Sequence, residues 1–151
     1  MKPLIGLAIG AALLTVAGCA PDPRHHLSEV VIRRDGSAVV MASCSDIEFD
    51  HLSMEQRNLK SGEPWNQFWS SDHRRSLDEG DTISTDDKPL EGDAVSVPQL
   101  HPNDQLRIYL DLAAPEGGRP VAASVFFIGD SGLSDTQWLH ADGSLTSQPC
   151  S

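Results

Sequence analysis

Gln105-Leu106-Arg107-Ile108-Tyr109-Leu110-Asp111-Leu112 carries the clearest periodicity in the chain. Leu106, Ile108, Leu110 and Leu112 occupy alternate positions, with Arg107, Tyr109 and Asp111 between them. On a helix those four apolar side chains would scatter around the axis; on an extended chain they share one face. The segment therefore predicts a half-buried β-strand over residues 105–112.

Other segments show their own periodicities. Residues 121–128 are apolar on both faces, which predicts a central core strand. Residues 29–34 and 38–43 are two β-branched runs joined by Asp35-Gly36-Ser37, a strong hairpin signal. Over residues 46–52, Ile47 and Phe49 face inward while Asp46, Glu48 and Asp50 face outward. Residues 136–140 and 144–147 flank Asp142-Gly143 and predict a closing hairpin. Val95 and Val97 suggest a short edge strand that Pro98 ends.

Two stretches are less regular. Within residues 57–72, Trp65, Phe68 and Trp69 fall at i, i+3 and i+4, the spacing of a single helical turn. Residues 77–93 read as a polar loop with Asp78, Glu79, Asp81, Asp86, Asp87, Glu91 and Asp93. Six or seven short strands without a long helical pattern predict an all-β fold, a small β-sandwich of immunoglobulin-like architecture. The cysteines do not follow the antibody-type arrangement, since Cys44 comes after the second strand and Cys150 at the C-terminal end.

The N-terminus begins with Lys2, an apolar run over residues 4–14, and then Thr15, Ala17 and Gly18. Charged, apolar and small residues in that order make a secretory signal, and the run is too short to cross about 30 Å of hydrocarbon as a permanent helix. Val16-Ala17-Gly18-Cys19 resembles the bacterial lipobox. The resemblance implies diacylglyceryl transfer to Cys19 and cleavage on its N-terminal side. The chain then divides into a lipoprotein signal peptide (1–18), a lipidated cysteine with a short tether (19–28) and a sandwich domain (29–151). Two or three acyl chains, at ~0.8 kcal/mol per buried methylene, hold such a protein stably on a membrane. The expected location is the extracytoplasmic face of the cell membrane.

Assigning Cys19 to lipid leaves Cys44 and Cys150 as an even pair in an oxidising compartment, and a disulfide is expected. Neither has zinc-type spacing. Pro21 and Pro23 keep the tether extended, and the eight residues 20–27 reach at most about 26 Å. Without residues 1–18 the chain has 10 basic and 22 acidic residues, a net charge of −12. That balance argues against nucleic acid and against polybasic docking on anionic lipid. Lipobox, short tether and a hairpin running into a cysteine resemble the organisation of small lipoproteins from Gram-positive, especially actinobacterial, envelopes.

Ile128-Gly129-Asp130-Ser131-Gly132-Leu133 resembles two hydrolase signatures, the Gly-Asp-Ser block of one esterase superfamily and the Gly-Asp-Ser-Gly block of chymotrypsin-like proteases. The esterase pattern places its block near the N-terminus and needs an Asp-x-x-His pair later; here 20 residues follow Ser131, and Asp135 and His140 are wrongly spaced. The protease pattern needs glycine where Leu133 stands and a His-Cys dipeptide, whereas Ser43 precedes Cys44. Gly-Asp-Ser-Gly after a strand is also good turn chemistry.

The acidic loop is out of register with an EF-hand, so no metal site is expected, and the histidines show no ligand spacing. Trp65, Phe68 and Trp69 are the candidate patch for a partner protein or glycan. No catalytic residue and no cofactor is expected. The functional expectation is a non-enzymatic binding or envelope-support module, with a serine hydrolase acting through Ser131 and a calcium-stabilised surface domain as alternatives.

Overall fold

The computed structural model describes residues 25–26, 30–87, 99–112 and 121–150. Among them the chain forms strands β1 (His25–His26), β2 (Val30–Asp35), β3 (Ala38–Ser43), β4 (Ile47–Asn58), β5 (Asn66–Ser71) and β6 (Arg75–Leu77). It continues with β7 (Thr82–Ser84), β8 (Asp104–Leu112), β9 (Val121–Phe127), β10 (Trp138–Leu139) and β11 (Leu145–Thr146). No helix is present among the described residues, and none is long and apolar enough to cross a membrane.

The larger sheet has the order β1-β9-β8-β4-β5, with β6 beside the first part of β4; the second has the order β11-β10-β2-β3-β7. All pairings are antiparallel except that of β1 with β9. Val30, Ile32, Met41 and Ile83 of the second sheet share one core with Phe49, Leu52, Met54, Leu106, Ile108, Leu110 and Phe126 of the larger. Two sheets closing on one apolar layer make a β-sandwich.

Strand β8 behaves as its alternation requires. Leu106, Ile108 and Leu110 are fully buried, while Arg107, Tyr109 and Asp111 are half-buried on the other face. The β2–β3 hairpin turns through Gly36 and Ser37, with Gly36 at φ 59° in the first loop position, where a two-residue turn favours glycine. β3 is buried along its whole length. On its outward side, Val40 and Ala42 form a second cluster with Val31 and Trp138, against which Cys44 packs. Cys44 and Cys150 are bonded, with Cα atoms 5.1 Å apart and a sequence separation of 106.

Two bulges explain where the simple alternation fails. In β4, Phe49 pairs with Leu112 and His51 with Asp111, so Asp50 is an extra residue. Inward parity therefore shifts from Phe49 to Leu52 and Met54, and the strand runs on to Asn58 rather than stopping near residue 52. In β5, Trp69 pairs opposite Met54 and Gln67 opposite Glu55, so Phe68 is extra. The expected helical turn is thus a bulged strand, and the bulge lets the adjacent Phe68 and Trp69 both enter the core.

Other expectations are corrected as well. β9 alternates instead of being buried on both faces: Ala122, Ser124 and Phe126 point in, whereas Val121, Ala123 and Val125 are half-buried and Phe127 is 55% exposed. The acidic stretch contains β7, held by pairing with β3 and by buried Ile83. His25 and His26, expected in the tether, pair with β9 at the sheet edge. The edge strand expected at Val95 and Val97 lies outside the described residues.

In the β10–β11 turn, the Ser144 hydroxyl and backbone N–H both donate to Asp142 Oδ1, at 2.7 and 2.9 Å. These bonds, the hydroxyl's first, lower the Asp142 pKa below the ordinary aspartate value. A carboxylate so depressed favours the fold above its unfolded pKa, and the contribution disappears as pH falls through the folded value. Ser144→Ala should move the Asp142 midpoint upward in a carbon-detected NMR titration; an unchanged midpoint would assign the shift to another cause.

Candidate functional site

The outward face of the larger sheet gathers the polar side chains that the alternation excludes from the core. His51, Ser53, Glu55 and Arg57 of β4 lie opposite Asp111, Tyr109, Arg107 and Gln105 of β8 in register. Cross-strand neighbours on one face are close enough to interact, and oppositely charged pairs stabilise the sheet. Arg107 forms an ion pair with Glu55, its Nε 2.5 Å from Glu55 Oε2, and Arg57 Nε donates to Gln105 Oε1 at 2.6 Å.

Trp65, one residue before β5, sits against both arginines. The guanidinium carbons of Arg57 and Arg107 each lie 4.4 Å from its ring centre, within cation–π range. Trp65 is half-buried, and Phe127 stands exposed at the same end of the face, in register with Gln105. Two arginines with one carboxylate between them form a locally cationic, aromatic patch on a chain of net charge −11. The other end of the face has the opposite sign. There, Asp50, His51, Asp72, Tyr109 and Asp111 line an open groove of about 460 Å³, and His51 Nδ1 lies 2.5 Å from Asp72 Oδ1. Arg107 and Asp111 are four residues apart on β8, so the two ends are separated by roughly 14 Å.

The expected patch of three aromatics is therefore divided. Trp65 belongs to the outward face, but Phe68 and Trp69 are only 1% and 3% exposed and form core. The bulge at Phe68 turns them inward, which removes them as partner contacts. Arg57, Glu55 and Arg107 take their place; the outward alternation of residue 107 hinted at this, but nothing local linked it to Trp65.

Ser131 is exposed in the turn after β9, which Gly132 completes at φ 74°. Among the described residues no group hydrogen-bonds to its hydroxyl. In the acidic stretch, Asp81 accepts the Asp78 N–H at 3.0 Å and Asp87 that of Ser84 at 2.9 Å, so these carboxylates cap turns. Among the described residues no three His, Cys, Asp or Glu side chains are arranged to hold a metal ion. Cys19 lies outside the described residues. No family model, curated protein or solved structure matches this chain.

Proposed function

We propose that this chain is a lipid-anchored extracytoplasmic protein whose β-sandwich works as a non-enzymatic binding module, contacting an envelope partner protein through Trp65, Arg57 and Arg107. The observation that carries the reading is the Trp65 cluster. Tryptophan and arginine dominate the energetically important contacts of protein interfaces, because both present large, partly apolar surfaces with polar edges. Here they meet on an open sheet face beside exposed Phe127. The cationic patch suits a partner segment that places a carboxylate beside an apolar side chain.

The anchor rests on Val16-Ala17-Gly18-Cys19, and the Cys44–Cys150 bond suits the oxidising side of a membrane. Because β1 is already part of the sheet, five residues separate Cys19 from it, with a reach of about 17 Å. β5 is four strands away from β1, roughly 19 Å across the sheet. The patch beside Trp65 would thus stand at the edge far from the anchor.

Trp65→Ala and Arg57→Glu test the binding reading without touching the core. Pull-down from a membrane extract should recover a partner with the unaltered full chain and lose it with both variants. A hot-spot tryptophan contributes at least ~2 kcal/mol, about a thirtyfold loss of affinity. Equal recovery by folded variants would defeat the proposal.

A further inference from the structure

A second concavity opens where β8 begins, lined by residues none of which belongs to the Trp65 cluster. The β2–β3 turn, residues 99–101 ahead of β8, and the turn after β9 enclose a cleft of about 330 Å³. Leu100 supplies the accessible apolar surface, backed by the core residues Val39 and Leu133. Arg34 and His101 stand on the rim. No carboxylate is among the described lining residues, although the chain has 22 acids against 11 lysines and arginines. Among the described residues, neither the Arg34 guanidinium nor the His101 ring has a hydrogen-bond or ion-pair partner.

The walls are held in place before any ligand arrives. Asp104, 2% exposed, accepts hydrogen bonds from Gln56 Nε2 at 2.5 Å, Asn58 Nδ2 at 2.7 Å and the His101 backbone N–H at 2.7 Å. That buried carboxylate clamps the His101 wall onto β4. Asn103 takes a left-handed conformation at φ 71° to bring the wall back into β8, a conformation asparagine tolerates. Gly36 and Gly132 give the two opposing turns their positive φ values, 59° and 74°. A preorganised pocket with an apolar floor and few directed polar groups is the usual form of a small-molecule site.

We infer that this cleft binds a small amphipathic carboxylate, its head on Arg34 with His101 alongside and its tail over Leu100, with Val39 and Leu133 behind it. One guanidinium fork matches one carboxylate in charge and in bidentate geometry. The volume is at the small end of ligand pockets, which limits the tail to a short chain or a single ring. The site is separate from the Trp65 face and does not depend on what that face binds.

The probe is hexanoate, titrated into the full chain and followed by amide chemical shifts. Hexanoate should shift Gly36, Leu100 and Gly132 together, with affinity on the order of millimolar. Hexylamine has the same tail with the opposite charge, and inorganic phosphate has the charge without the tail; neither should produce that pattern. Arg34→Glu should weaken hexanoate at least tenfold and admit hexylamine instead, with amide shifts elsewhere unchanged because the replaced side chain is exposed. The inference is overturned if hexylamine or phosphate reproduces the hexanoate shifts, or if Arg34→Glu binds hexanoate as before. Arg57→Glu should leave hexanoate binding intact, so a failure at the Trp65 face reads separately from a failure here.

Discussion

Replacing Cys44 and Cys150 together by serine should destabilise the fold by up to about 4.7 kcal/mol, the chain-entropy value for a closed loop of about 100 residues. The bond spans 106 residues, from the end of β3 to the penultimate residue, so it restricts most of the sandwich sequence in the unfolded state. Both cysteines belong to the second sheet's side of the molecule: Cys44 follows β3, and Cys150 follows β11. The bond therefore does not pin one sheet to the other. Its main effect is on the unfolded ensemble, with a smaller native contribution from Cys44 packing on the Val31, Val40, Ala42 and Trp138 cluster. Urea unfolding of oxidised protein and of the double-serine variant gives the difference directly. A loss of this size should also lower Tm by on the order of 10 °C. Coincident midpoints would mean that the bond contributes nothing to the fold.

Phe68→Ala should cost about 3–5 kcal/mol, as expected when a fully buried phenylalanine is truncated. Phe68 is the extra residue of the β5 bulge, and its ring lies in the shared core with Trp69, Met54 and Leu52. Trp65→Ala should cost far less, roughly 1–2 kcal/mol for two partly exposed cation–π contacts. The ratio discriminates between two local structures. In a helical turn, residues 65, 68 and 69 would share one face and respond alike; in the bulged strand, 68 and 69 are core and 65 is surface. Similar losses at positions 65 and 68 would contradict the bulge.

The parts of the fold that the sequence revealed are those with uninterrupted local patterns. β8 alternates without a break, the β2–β3 hairpin carries its own turn at Gly36, and the closing hairpin is marked by Asp142-Gly143. What stayed hidden is non-local. Asp50 shifts the parity of β4, so its second half did not look like a continuation of its first. Phe68 mimics a helical spacing because a bulge, like a helix, places neighbours in sequence on one side. β7 is three residues long and depends on pairing with β3, which no window around Thr82 could show. The Trp65 cluster draws on β4, β8 and the start of β5, and the Arg34 cleft on three separate turns. Both sites exist only after the sheets have assembled. The one aromatic of the expected patch that remained outward, Trp65, was identifiable by type; its arginine partners were not.

The proposed function requires that lipid on Cys19 hold this disulfide-closed sandwich to a membrane. Intact-mass spectrometry of the full chain expressed in a lipoprotein-processing bacterium tests it most directly. The membrane fraction should yield a protein that begins at Cys19, carries a diacylglyceryl mass increment and loses both cleavage and increment in Cys19→Ser. A protein that begins elsewhere, or begins at Cys19 with an unmodified thiol, would contradict it.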